Sequence, residues 1–213
     1  ATTTMFSELE KLNVKNIRVG IAIFHPAHLA EVWSFMKTED EKTARTSGTL
    51  DMNVTRLWQG LYKGWEQKDE FFHYFLAGEE KKAYYQVLSN SPNYSLSEEI
   101  PQLPDQHFQA YYFPEGCIWA YSLNPHTEDD KRILKKFTAV FSLTFRRYQD
   151  LKKAEAQARE ARLQTSLERV RAAAMAMKKS EELLAICEVM YNELKELGFS
   201  QIRNAQLAIK NDE

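Results

Sequence analysis

Cysteine, glycine and proline are all scarce in this chain, and each shortage excludes something. Its 213 residues hold only two cysteines, Cys117 and Cys187, far apart in the sequence. Such a pair makes neither a disulfide framework nor a metal knuckle, and it fits a reducing compartment. No run of about 20 nearly uncharged apolar residues occurs, so no membrane-spanning helix is expected. The opening Ala1-Thr2-Thr3-Thr4-Met5 has no basic region followed by an apolar stretch, so no secretory signal is expected either. Charge of one sign is also lacking. The formal net charge of −2 argues against nucleic acid as a partner of the whole chain. A Gly-rich phosphate loop and a Ser/His/Asp spacing are both absent. The composition predicts a soluble protein of cytoplasmic type and says nothing about chemistry.

The few glycines and prolines are unevenly spread. None lies between Pro125 and Gly198, and because these residues punctuate structure, a long helical region is expected there. The first 125 residues instead alternate short runs. Phe6 to Leu12 reads as the end of an amphipathic helix. Ile17, Val19, Ile21 and Ile23 repeat at period two and predict a strand, and the turn His25-Pro26-Ala27-His28 leads to a second strand over Leu29 to Met36. Lys37 to Asp51 is polar and reads as a mobile loop. Asn53 is expected to cap a helix carrying Leu57, Trp58, Leu61 and Trp65.

Next come a strand over Glu70 to Leu76, a helix over Ala77 to Leu88, and a loop over Ser89 to Asp105. Gln106 to Phe113 and Cys117 to Leu123 read as two further strands. Thr127-Glu128-Asp129-Asp130 opens a helix with a hydroxyl cap and an acidic first turn. Its expected buried stripe is Ile133, Leu134, Phe137, Val140, Phe141, Phe145 and Tyr148. The order of elements predicts an α+β domain, an antiparallel sheet with packed helices.

From about Tyr148 the pattern becomes that of an arm. Leu163, Leu167, Val170, Ala174 and Met177 follow a 4-3-4-3 heptad spacing. Leu151, Ala154, Ala158 and Ala161 repeat similarly but join the first set only through a slip, as in a stutter. Ten Lys and Arg against six Asp and Glu lie between Arg146 and Glu182, interspersed as coiled-coil flanks are. A parallel homodimer is expected, with Leu151, Ala158, Leu163, Leu167, Val170, Ala174 and Met177 as its seam.

The two ends resemble each other. Phe6 to Arg18 aligns without gaps to Tyr191 to Arg203, with identities at Glu8/Glu193, Leu9/Leu194, Leu12/Leu197, Ile17/Ile202 and Arg18/Arg203. On this reading residues 1–147 are one domain, 148–180 a linker, and 181–213 the opening helix and first strand of a second copy. That strand is expected around Ala205 to Ile209.

The run Phe145-Arg146-Arg147-Tyr148-Gln149-Asp150-Leu151-Lys152-Lys153-Ala154, with Leu167-Glu168-Arg169-Val170-Arg171-Ala172 and Met175-Ala176-Met177, is similar to the signalling-helix linker of bacterial multidomain signalling proteins. Gly20-Ile21-Ala22-Ile23-Phe24 and Glu31-Val32-Trp33 resemble pieces of a GAF sensor domain. The resemblance implies a GAF-like antiparallel sheet followed by a coiled-coil helix and the start of a second GAF domain. It implies a regulatory input segment that relays a state change to a downstream output domain, such as the histidine kinase of a two-component system. The residues that mark a cyclic-nucleotide GAF or a bilin-attaching cysteine are missing, and so are a phosphoacceptor histidine segment and an ATP-binding segment. The cofactor or ligand is therefore unknown, and a ligand-free dimerisation scaffold is the alternative.

Candidate site residues are few. Trp33, Trp58, Tyr74, Tyr112 and Trp119 are those expected to line a pocket for an unidentified small molecule, if they are not simply core. His25 and His28 read as turn residues, and His73 and His107 as hydrogen-bonded histidines rather than ligands. Cys117 has no positive neighbour to activate it and reads as buried and inert. Glu79-Glu80 and Asp129-Asp130 read as helix starts rather than catalytic pairs.

Overall fold

The computed structural model describes residues 2–37, 43–95, 104–179 and 182–207. Ala1–Phe145 forms one compact unit and Arg146–Glu213 another. Within the first, α1 (Thr2–Lys11) precedes β1 (Arg18–His25), β2 (Leu29–Lys37) and β3 (Thr43–Asp51). After α2 (Arg56–Glu66), β4 (Phe71–Leu76) and α3 (Gly78–Ser89) come the two-residue β5 (Tyr94–Ser95), then β6 (Gln106–Phe113) and β7 (Gly116–Ser122). The strands form one sheet in the order β4-β6-β7-β1-β2-β3-β5, with every pairing antiparallel. The α+β sheet expected from the sequence is therefore present.

Both faces of the sheet are covered. On one, Ala22, Val32, Phe108 and Trp119 meet Leu57, Trp58 and Leu61 of α2 and Tyr84, Tyr85 and Leu88 of α3. On the other, Val19, Ile21, Phe35 and Ile118 meet Met5, Phe6 and Leu9 of α1 and Leu134 of α4 (Glu128–Ala176). The central strand β1 is consequently buried along nearly its whole length. Its even-numbered residues, which alternation places on a wet face, lie under α2 and α3 instead.

Three expectations need correction here. The segment read as a loop up to Asp51 contains β3, which pairs with β2 from Thr43 to Asp51. It was hidden because its inward positions are small or polar, Ala44, Thr46 and Gly48, with only Leu50 large. Thr55, not Asn53, caps α2, its side chain accepting from the Trp58 N–H at 3.2 Å; Asn53 closes a turn onto Asp51 instead. The segment read as a loop over Ser89 to Asp105 includes β5, held because Gly48 lets the Asn93 carbonyl approach; a Cβ there would lie 2.1 Å from that oxygen. The rest of that segment, 96–103, lies outside the described residues.

The helix opening at Thr127 matches its sequence signal. Thr127 Oγ1 accepts from the Asp130 N–H, and the Asp130 carboxylate accepts from the Thr127 N–H, the reciprocal box that satisfies two free donors. Leu134 is fully buried, while Ile133, Phe137, Phe141 and Phe145 are half-buried against the same cluster. Val140 and Tyr148 leave the expected stripe and are exposed, as are Leu143 and Leu151.

In the second unit α4 stops at Ala176, and the Lys178 N–H donates to the Glu182 carboxylate at 2.7 Å as the chain turns. The helix α5 (Leu183–Glu196) then doubles back along α4. Arg169 reaches Glu193 at 3.1 Å and Glu196 at 3.3 Å. The less exposed residues of α4 in this unit are Ser166, Val170 and Ala173, at four- and three-residue steps, and α5 is buried most at Ile186 and Glu193, with Leu183, Cys187, Val189, Met190, Tyr191 and Leu194 half-buried around them. Ala205 to Leu207 carry no strand. The rest of the strand expected there lies outside the described residues.

One feature of the end-to-end alignment is visible in the backbone. After α1 the bonds run Leu12 N–H to Glu8, Asn13 to Glu10 and Val14 to Leu9; after α5 they run Leu197 to Glu193, Gly198 to Lys195 and Phe199 to Leu194. The aligned residues Asn13 and Gly198 are both left-handed, with φ of 59° and 98°. These are the same helix stop, position for position.

Candidate functional site

The five residues expected to line a pocket separate. Trp58 and Trp119 are fully buried in the core under α2 and α3, their rings 6.4 Å apart and nearly perpendicular. Tyr112 is half-buried and donates its hydroxyl to the Leu61 carbonyl at 2.6 Å. Trp33 is 38% exposed and shares the parity of Phe35, so it points to the opposite face. Only Tyr74 lines the described cleft, an opening of about 320 Å³ between the start of α2, β4 and α3. Its other walls include Thr55, Leu57, Glu80 and Tyr84, and Tyr74 donates its hydroxyl to Glu80.

A cluster that sequence reasoning missed lies behind that cleft. Arg18, the first residue of β1, is 1% exposed. Its guanidinium carbon stands 4.4 Å from the Tyr121 ring centre, 5.4 Å from Trp119 and 5.9 Å from Tyr85. Stacking of this kind satisfies the face of the cation, not the N–H groups at its edge. The Tyr85 phenol is within reach, yet among the described residues Nε and Nη1 meet no acceptor. Among the described residues no carboxylate pairs with the guanidinium.

Hydroxyls ring the cation but give no counter-charge. The Tyr84 and Tyr121 hydroxyls are 2.7 Å apart, the Gln106 amide donates to Tyr85 at 2.6 Å, and Tyr94 meets Thr46 at 3.1 Å, with Ser34 beyond. Burial pushes the phenols of Tyr84, Tyr85 and Tyr121 up, so all three are neutral near pH 7. Gly20 makes room for this wall, because a Cβ there would lie 2.2 Å from the Trp119 ring.

The opposite face carries a second polar group, which is fully paired. His126, just before the α4 cap, is buried. Its Nε2 donates to Asn16 Oδ1 at 2.9 Å, which leaves Nδ1 to accept from the Tyr111 hydroxyl at 2.9 Å. Its backbone N–H donates to Gln109 Oε1 at 3.0 Å. Burial lowers its pKa to about 4, so the ring is neutral. This network ties the start of α4 to β6 and to the segment between α1 and β1.

The remaining candidates fall into structural settings. His73 Nε2 and His107 Nδ1 are 2.9 Å apart on paired strands, and burial, then His107 and Lys131, lower the pKa of His73. His25 lies 3.2 Å from Glu31, and His28 packs on Tyr62. Burial raises the Cys117 thiol far above its usual range. The acidic pairs fall in first turns, Glu79 and Glu80 in α3, Asp129 and Asp130 in α4. Among the described residues no group of His, Cys, Asp or Glu is placed to hold a metal ion.

Of the expected seam residues, Leu151, Ala158, Leu163, Leu167 and Ala174 on α4 are exposed, Val170 is half-buried, and Met177 is exposed just past the end of the helix. The Ser166 hydroxyl, then Arg169, hold the Glu193 carboxyl below its ordinary pKa. No helix among the described residues is long and apolar enough to cross a membrane. No protein-family model, no curated protein and no solved structure matches the chain.

Proposed function

We propose that this chain is a non-catalytic regulatory segment of a bacterial signal-transduction protein. A GAF-like sensor domain passes a change in packing along α4 to a downstream output domain such as a histidine kinase. The observation that carries this reading is α4 itself. It is capped and tied into the sheet domain through Thr127, His126 and Leu134, then continues unbroken to Ala176. A helix anchored at one end in a core moves as a unit when that core repacks.

The second element of the reading is a homodimer through the helix. Leu163 and Leu167 leave an apolar row open on one side of α4, and Val140, Leu143 and Leu151 leave another on a different side, while α5 covers the helix near Ser166. Burying a leucine contributes roughly 1.5–3 kcal/mol, so such a row favours a second copy. Sedimentation of the chain and of the double variant Leu151→Glu, Leu167→Glu tests it. The expected result is a dimer that becomes a monomer while the melting of the sheet domain stays unchanged. A monomeric parent chain overturns the dimeric relay.

The scaffold reading has one observation in its favour. Trp58 and Trp119, expected to line a pocket, fill the core instead. A scaffold responds to no small molecule, which is where the two readings part.

A further inference from the structure

We infer that Arg18 and the aromatic wall around it are the binding site for a small organic carboxylate. The purpose of such a site rests on the sensing reading above; its chemistry does not. A buried cation without a counter-charge is costly even after relaxation, and proteins retain one where something compensates it. Arg18 has two nitrogens without acceptors and, among the described residues, no carboxylate beside it.

The surroundings specify the class of compound. Trp58 Nε1 and Trp119 Nε1 are likewise buried without acceptors, in the same cluster of side chains, and of that cluster's unpaired atoms only Gln106 Oε1 is an acceptor. An excess of unmet donors calls for a ligand that accepts hydrogen bonds. One positive charge, with neutral phenols around it, balances one negative charge and not two. Phosphate near neutral pH therefore fits worse than a carboxylate. The walls are the rings of Tyr85, Trp119 and Tyr121, so the ligand has an apolar or aromatic body.

Tyr84 sets the way in. It lines the open cleft, and its hydroxyl meets that of Tyr121, the ring on which Arg18 stacks. Its displacement admits the carboxylate and shifts α3. The internal alignment adds a sequence observation, since Arg203 stands where Arg18 does, directly after an isoleucine.

The test uses the whole chain at constant ionic strength, with benzoate, acetate and inorganic phosphate as probes. Benzoate is expected to raise the melting temperature on the order of 5 °C at about 100-fold above its Kd, with acetate weaker and phosphate without effect. Arg18→Met is expected to melt above the parent chain without ligand, because it removes an unpaired charge, and to lose the benzoate shift. A shift no larger than that from chloride, an equal shift in Arg18→Met, or a larger response to phosphate overturns the assignment. Should Arg18→Met fail to fold, the Nε–H resonance of Arg18 in the parent chain decides. It moves on benzoate addition if the site is real and stays if it is not. Failure of these measurements leaves the sedimentation test of α4 untouched, so the two proposals fall separately.

Discussion

The two faces of the sheet follow different rules. Under α1 and α4 the buried polar groups are paired: His126 uses both ring nitrogens, Gln109 reaches Ser122, and Thr138 bonds the Leu134 carbonyl. Under α2 and α3 the Arg18, Trp58, Trp119 and Gln106 side chains each leave a polar atom without a partner among the described residues. Buried polar atoms are satisfied in the great majority of cases, and exceptions gather where a protein does something beyond folding. The contrast separates a face that anchors α4 from a face that has capacity left for a ligand.

Substitutions sharpen that contrast in order of size. Trp119→Ala should cost about 4 kcal/mol in a urea melt and also abolish any benzoate shift, because its ring packs against Arg18, Trp58 and Phe108. On the anchoring face, Leu134→Ala should cost about 3 kcal/mol while leaving the benzoate shift intact. Equal loss of the shift in both variants would erase the distinction between the faces.

Acid should act through the anchoring face. His126 is depressed to about 4 in the fold against about 6.5 unfolded, so the unfolded chain takes up the proton first as pH falls. Its contribution is present above about pH 6.5 and is lost towards pH 4, a loss of about 2–3 kcal/mol. Melting temperatures across that window check this, and His126→Asn should flatten that part of the slope. The smallest effect belongs to the cap: Thr127→Ala should cost about 1 kcal/mol by urea melt and fray the first turn of α4.

The anchoring face was the legible one. Val19, Ile21 and Ile23 announce an inward row by period alone, although Ile17, read with them, packs on the other cluster, and Thr127 to Asp130 announce a helix start by residue type. Arg18 announces nothing of its role. In an alternating strand a charged residue reads as the solvent side, and only the covering of that side by α2 and α3 makes it buried. Its aromatic neighbours come from α3 and β7, far along the chain, so no spacing connects them. His126 was silent for a similar reason, since Asn16, Gln109 and Tyr111 converge on it only through the sheet. β3 escaped notice because pairing with β2, rather than a large apolar row, makes it a strand. In the arm, the heptad period gave no sign that α4 ends at Ala176, where the Lys178 N–H donates to the Glu182 carboxylate with no glycine or proline in the sequence to mark a stop.

The matching stops after α1 and α5 have a consequence for how such chains are assembled. Asparagine in one and glycine in the other end a helix with the same three bonds. Yet α1 lies against the sheet, and α5 lies along α4. The punctuation of a helix is written within a dozen residues and travels with them. Its lodging is decided by whatever surface the rest of the chain provides, so one and the same spelling serves two different addresses.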